Sequence, residues 1–486
     1  MYRRPSKKQQ IIRRSLSLLS MLLSILVIVT ATILFILGYR IDSINGRLEQ
    51  GALVQFDSVP AGASVSIDGS QLSAQTPTKR SVIDGAHSFM VERSGYRPWA
   101  KSLNLEAGTL TWLDYIRLVP TDLKRETVKT FQTASAMKAA PDRQTLIVQT
   151  APSQPTLERI DISTQTVVAS SLTLPTALYS GAADQTGAHA FTLNEWDQGG
   201  RYVLVKHTYS DKMEWLVIDT EDVARSVNVT RLLSIELSDL QFAGTSGTIL
   251  YGLTDGVIRR LDLSNATISR GLVTNVSSFE LYQANTLTYI GTDPANATRR
   301  VAGLYRDGDA EPRVLRTASV TTPLTIDTTR HYNDDYVAIA EGQAVTLLKG
   351  RYPSSALDTS SLSLFATFPA PAAIDQVQFS PEGDYLIVQS GVAFQSYEVE
   401  YKRLNSATVD IDASQVQPLR WLDEAYVWAV YDGMLSMREF DGTNASVLMP
   451  AIAGLDATLS QNGRYLYALT QTDDTFRLER VTMILQ

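Results

Sequence analysis

Hydrophobic and polar positions divide the chain into stretches of different period. From Leu16 to Gly38 the residues are uncharged and almost wholly apolar, and the six charged residues before them are all basic: Arg3, Arg4, Lys7, Lys8, Arg13 and Arg14. An α-helix rises about 1.5 Å per residue, so this run reaches roughly 34 Å, enough to cross a hydrocarbon layer about 30 Å thick. Hydrocarbon offers an exposed N–H or C=O no partner, which leaves helix as the conformation for a single crossing segment. The pattern predicts a basic tail at 1–14 and a transmembrane helix at 15–39. Beyond the run, Arg40 and Arg47 are balanced by Asp42 and Glu49, so the Lys/Arg excess keeps the tail in the cytoplasm and sends the remainder outward. A cleaved secretory signal is the rival reading. It would have an apolar region of about 7 to 15 residues and a small-x-small site, and Phe35-Ile36-Leu37-Gly38-Tyr39 is a poor one. Both readings put the body of the chain outside the cytoplasmic membrane.

Ile41, Ile44 and Leu48 fall at helical spacing, so 40–52 is expected to continue the membrane helix as a stalk. At 53–120 the period changes to two. Alternation in Ser64-Val65-Ser66-Ile67 stops at Asp68-Gly69, and a second hairpin turns at Ser94-Gly95. The stretch resembles the PEGA domain, a small β-domain of bacterial and archaeal surface proteins. The resemblance rests on Pro60-Ala61-Gly62-Ala63, the Asp68-Gly69 turn, Thr76-Pro77, Gly85, Gly95-Tyr96 and Leu118-Val119-Pro120, with Ala61 where the name-giving Glu is usual. It implies a small β-sandwich outside the membrane.

From 121 to 486 one grammar recurs. Eight segments stack on a hydrophobic strand, beginning at Thr145, Arg201, Thr248, Thr286, Asp335, Asp384, Ala425 and Arg464, about 46 residues apart on average. Each precedes a turn and another strand, and four strands per repeat at this period is the pattern of propeller blades. Radial stacking buries both faces of each sheet, which accounts for the near-continuous apolar runs. The last repeat lacks a fourth strand, and 124–131, "KRETVKTF", precedes the first repeat without a neighbour, so it is expected to close the last blade. The fold expected is mainly β, with an eight-bladed β-propeller; the long interval at Ala177–Ala190 keeps seven blades as an alternative. "FSPEGDYLIV" from Phe379 and "LSQNGRYLYAL" from Leu459 resemble propeller repeats of the periplasmic Tol-system protein. Trp196-Asp197 is the one WD dipeptide; it reads as lying ahead of a strand, which does not support WD40 membership.

Composition then narrows the chemistry. Setting aside the six N-terminal cations takes the formal charge from -8 to -14, and an acidic body excludes nucleic acid, whose phosphates need clustered Lys and Arg. The sequence has no cysteine, which removes disulfides, thiolate nucleophiles and metal–thiolate sites. His87, His189, His207 and His331 lie far apart in sequence without paired-ligand spacing and read as surface or cross-strand residues. There is no GxSxG elbow and no phosphate-binding loop; "GTSGT" from Gly244 reads as a turn. Propeller-gated peptidases carry a separate hydrolase domain, for which the last repeat leaves no room.

Asp307/Asp309, Asp334/Asp335 and Asp473/Asp474 lack the spacing of a calcium loop, while Asp161, Asp219, Asp262 and Asp441 recur at turns, where Asp bonds the backbone. Sequons at Asn228, Asn265, Asn275, Asn296 and Asn444 are assigned no glycan. Of Trp99, Trp112, Trp196, Trp215, Trp421 and Trp428, most read as core, and any exposed one is a candidate partner contact. No catalytic, metal or cofactor site is expected.

Ser17, Ser24, Ala31 and Gly38 repeat every seven residues, with Ser20 on the same side. Such a stripe lets two membrane helices approach, which suggests a homodimer through the helix. Two functions are carried forward. One is a non-catalytic, membrane-anchored binding or scaffold protein of the bacterial cell envelope with a protein or cell-wall glycan partner. The other is an enzyme acting on an extracellular glycan from a site in the propeller funnel, which two facing carboxylates about 5 to 9 Å apart with aromatic walls would favour. A transmembrane sensor is disfavoured, because the basic tail holds no output domain.

Overall fold

A computed structural model describes residues 7–36, 39–41, 48–184, 188–352 and 361–485. The chain divides into two compact units, Met1–Asp122 and Leu123–Gln486.

In the first unit a helix spans Lys7–Ile36. It therefore begins within the basic tail rather than at its end; residues 1–6 and Gly38 lie outside the described set. Its window Ser15–Ile33 has mean hydropathy 2.5 and none of it is buried. Ser24 Oγ donates to Ser20 O at 2.8 Å and Thr32 Oγ1 to Ile28 O at 2.7 Å, so these hydroxyls are satisfied within the helix itself. Where residues of the expected helical stalk are described, they lie in strands or between them. Tyr39–Ile41 pairs antiparallel with Leu48–Gln50, placing Ile41 opposite Leu48. The sequence between them contains Asn45-Gly46, a strong hairpin signal that the helical spacing of Ile41 and Leu48 masks; 42–47, with Ile44, fall outside the described residues.

Two sheets follow. Ala52–Val59 pairs antiparallel with Thr78–Val82 and parallel with Leu110–Arg117. Ser64–Ile67 lies between Ser70–Gln75 and Gly85–Glu92, and Trp99–Leu105 continues that sheet. Strand Ala52–Val59 alternates buried and half-buried positions, so Val54 and Phe56 enter a core that includes Val65, Phe89, Val91, Leu113 and Ile116. The Asp68-Gly69 turn has positive φ at both residues, +50° and +77°, the backbone that Asp-Gly favours in a tight hairpin. The Ser88 amide at 2.9 Å, and then His87, hold the Asp68 carboxyl below its usual range.

The second unit is a β-propeller. Among the described residues it contains eight four-stranded antiparallel sheets. The first is Ala136–Ala139, Thr145–Gln149, Thr156–Asp161 and Val168–Thr173; the last is Arg125–Phe131, Thr475–Thr482, Tyr465–Thr472 and Ala457–Leu459. All eight repeating hydrophobic segments are second strands of their sheets. Thr145–Gln149 is buried at every position because sheets pack against both of its faces.

Those packing layers run in chain order. Ile147 and Leu157 of the first blade meet Phe191, Val203 and Leu216 of the second. Leu204 and Val217 of the second meet Leu240 and Leu250 of the third, and equivalent layers join the third to the fourth and onward to the seventh. Tyr467 and Leu478 of the last blade, with Phe131, pack on Leu146 and Ile160 of the first. Sequential strands cannot supply that last layer; it is made by residues from the two ends of the unit.

Candidate functional site

The first strands of the sheets place their side chains alternately into the inter-blade layers and into the middle of the unit. In Leu324–His331, Leu324 and Ile326 are buried, while Thr325 and Asp327, each following one of them, are half-buried. The same alternation in neighbouring first strands surrounds a cavity of about 760 Å³. Its lining includes Lys138, Glu280, Thr325, Asp327, Gln376, Gln378, Arg420 and Asp456, with Phe379 and Trp421 as aromatic wall.

Polar groups of the first strands, some lining this cavity and others, such as Glu195 and Gln241, outside its lining, fasten one blade to the next. Glu195 Oε1 accepts the Phe242 amide at 2.9 Å, and Asp327 Oδ2 accepts the Phe379 amide at 2.6 Å. Gln241 Nε2 donates to Phe279 O at 2.9 Å while its Oε1 accepts Leu281 N at 2.9 Å. Gln376 Nε2 donates to Leu419 O at 2.8 Å. Asp456 pairs with Lys138 at 3.4 Å and also with Arg420. The axis is thus lined by short polar bridges, each spanning two sheets.

The walls differ in charge. Burial pushes the Glu195 carboxyl up to about 7 despite the Phe242 amide, and the nearby charges of Asp239 and Glu280 add to the rise. Asp327 is likewise raised to about 7, first by burial and further by Glu280. Glu280 is open to cavity water yet enclosed by protein, and this enclosure, then the Asp239 charge, raises it too. Lys138, whose charge partly offsets the rise at Glu195, and Arg420 share Asp456. The site is a charged, hydrogen-bonding surface in which burial raises the Glu195 and Asp327 carboxyls to about 7. At the rim, Glu424 of the seventh blade accepts Glu382 N at 2.6 Å, Asp384 N at 3.0 Å and the Ser380 hydroxyl, and burial lifts it to about 7.

The wall residues escape sequence reading because each repeat contributes only one or two of them. Their shared signal is a polar residue inside the short strand before each hydrophobic second strand. Elsewhere, strand pairing brings together groups that are distant in sequence. His189 and His207, read as separate, lie 3.0 Å apart, because Phe191 and not His189 is directly opposite His207. His87 meets Asp68 at 2.6 Å and His331 meets Asp384 at 2.9 Å. Asp161, Asp262 and Asp441 each accept the amide two residues on, at 2.9 to 3.0 Å, as turn residues do. Asp335 is fully buried and takes Tyr282 Oη at 2.9 Å and Arg330, while Asp309 takes Arg306 at 2.7 Å.

Trp99, Trp196, Trp215 and Trp428 are buried, Trp112 is exposed and Trp421 lines the cavity. Trp196 ends the strand His189–Trp196, which corrects its reading as a residue lying only ahead of a strand. Ser17, Ser20, Ser24 and Ala31 lie exposed on the N-terminal helix, and Gly38 is outside the described residues. No group of three or more His, Asp or Glu that could hold a metal occurs among the described residues.

Residues 53–121 match the PEGA domain. No curated protein matches the chain. Among solved structures it is similar to the C-terminal WD40 domain of Sif2, with 11% identity and TM-score 0.48 over 74% of this chain and 98% of that one. It is also similar to the β-propeller domain of Cps50 (Swd1) from Myceliophteria thermophila, with 12% identity and TM-score 0.40 over 74% and 98%. An oligogalacturonate lyase in complex with manganese matches with 10% identity and TM-score 0.39 over 61% and 97%.

Proposed function

We propose that this protein is a non-catalytic binding or scaffold protein of the bacterial cell envelope. The N-terminal helix anchors it in the cytoplasmic membrane with the tail inside, the PEGA domain is a spacer, and an eight-bladed propeller closed by 124–131 presents its axis and loops to a protein or cell-wall glycan partner. One observation carries this reading: the axial carboxylates and amides are engaged between blades, as with Glu195 on Phe242 and Asp327 on Phe379. They form a rigid, preorganised polar surface, and rigidity of that kind favours recognition by lowering the ordering cost of binding.

A photo-crosslinking residue at Thr325, in living cells, is expected to capture a discrete partner that the same residue at exposed Val168 does not. Capture at Val168 alone, or equally at both, would overturn the use of the axis.

A second reading, a glycan-acting enzyme, takes as its acid Asp327, a cavity-lining carboxyl raised to about 7 by burial. Release of reducing ends from an envelope polysaccharide, abolished in D327N, would establish it in place of the first.

A further inference from the structure

We infer that His189 and His207 form a proton-held latch that fastens residues 178–184 to the second blade. The chain of contacts is continuous. Glu214 Oε2 lies 3.2 Å from His207 Nδ1, His207 Nε2 lies 3.0 Å from His189 Nδ1, and His189 Nε2 lies 3.2 Å from the Asp184 carbonyl oxygen. Each link holds one hydrogen, and counting them fixes how many the two rings carry together. Glu214 accepts the Ser180 amide at 2.8 Å and its hydroxyl at 2.7 Å, with Arg231 at 3.7 Å. Burial raises this carboxyl, but the Ser180 donors and His207 reverse that and leave it below its usual range, so it is an acceptor. His207 therefore donates from Nδ1, and the single hydrogen between the rings lies on His189 Nδ1 or on His207 Nε2. A carbonyl cannot donate, so the last link exists only if His189 carries a hydrogen on Nε2. The three links together require three hydrogens on two rings, one more than two neutral imidazoles carry, so the pair holds one imidazolium, counterbalanced by Glu214; the burial of His207 disfavours the charge there and leaves it on His189.

The latched segment is shaped for this contact. Gly181 has φ +76°, and a Cβ there would stand 2.5 Å from the Tyr209 ring. Tyr209 Oη donates to Asp184 Oδ2 at 2.6 Å and its ring stacks on His189 at 4.6 Å. Asn228 holds Leu178 O at 2.9 Å and Arg231 holds Ala177 O at 2.6 Å. Thus the charged and titratable groups facing the pair are Glu214 from the third strand, Tyr209 from the second, Arg231 from the short helix Val229–Leu233, and Tyr179 and Asp184 from the segment itself.

The latch has two limits. Losing the extra proton at higher pH leaves two lone pairs facing each other at Asp184. Adding a second proton at low pH sets N–H against N–H between the rings, and burial of His207, with the His189 charge, opposes it.

The test uses the full-length protein labelled with ¹⁵N-histidine, which has only four such residues. Long-range ¹H–¹⁵N spectra are expected to show His207 as the Nδ1–H tautomer and His189 doubly protonated in one pH interval. Hydrogen exchange of the Asp184 amide, referenced to the turn amide of Asp309, is expected to quicken about tenfold when that form is lost, the scale of one charged hydrogen bond. H189F, which keeps the ring and removes both links, should show the fast exchange at every pH. Two neutral imidazoles throughout, or referenced exchange that does not follow the protonation of the pair, overturns the latch.

Discussion

Phe131 offers the sharpest test of how the propeller is closed. It ends the strand Arg125–Phe131, is 6% exposed, and packs among Met137, Leu146 and Ile160 of the first blade and Tyr467 and Leu478 of the last. Core Phe→Ala changes cost about 3–5 kcal/mol. Lys129 lies over the ring at 5.6 Å and can partly fill the void, which places F131A near the lower end, about 3 kcal/mol. With native stability of about 5–15 kcal/mol, this is a large fraction of the whole. Thermal unfolding would fall by roughly 6 °C at about 2 °C per kcal/mol for a domain this size.

The assay is thermal unfolding followed by circular dichroism and by tryptophan fluorescence, which reports on Trp215 and Trp428 in blades far from Phe131 in sequence. Both signals should shift together, because opening at one boundary frees every blade. The control is V168A: Val168 is 61% exposed in an outer strand, so its loss should stay within about 0.5 kcal/mol. An F131A midpoint no lower than that of V168A would refute closure through Arg125–Phe131.

The acid–base behaviour gives a second expectation. Asp327 is raised from 3.8 to about 7 on folding, so the native state holds its proton where the unfolded chain has lost it, and stability falls as pH rises from about 4 to 7. Urea unfolding of D327N should show a shallower decline across that window; an unchanged slope would mean that the Asp327 carboxyl is not raised. In the membrane, replacing Ser24 and Ala31 by Leu should lower the signal of a helix-dimerisation reporter, and an equal signal would remove the small-residue stripe as an interface. Protease added to intact, outer-layer-stripped cells should digest the propeller while sparing a cytoplasmic marker; survival of both would contradict the outward orientation.

What could be read from sequence follows from how densely each feature writes itself along the chain. The helix Lys7–Ile36 holds a continuous apolar run long enough to cross a membrane, and the eight second strands are continuous because two packed sheets demand apolar residues at consecutive positions. The Asp68-Gly69 turn was legible because few residue pairs accept its backbone. The hairpin of Tyr39–Ile41 with Leu48–Gln50 was not, since Ile41 and Leu48 satisfy a helical period and a strand pairing equally well. The axial wall was illegible for a different reason. Glu195, Glu280 and Asp327 are single polar positions in separate repeats, and only the ring brings their charges together. The His189–His207 contact depends on strand register, which alternation alone does not set.

Pairing of Phe131 with Phe476 also constrains how the protein is made. The two positions are 345 residues apart in a chain that emerges from its N-terminal end. At a synthesis rate of about 5–20 residues per second, the earlier strand waits roughly 17 to 70 s for its partner. Throughout that interval the nascent polypeptide carries an unmatched β-edge, so holding chaperones have a defined substrate, and a ribosome stalled before codon 476 releases a product that cannot complete itself.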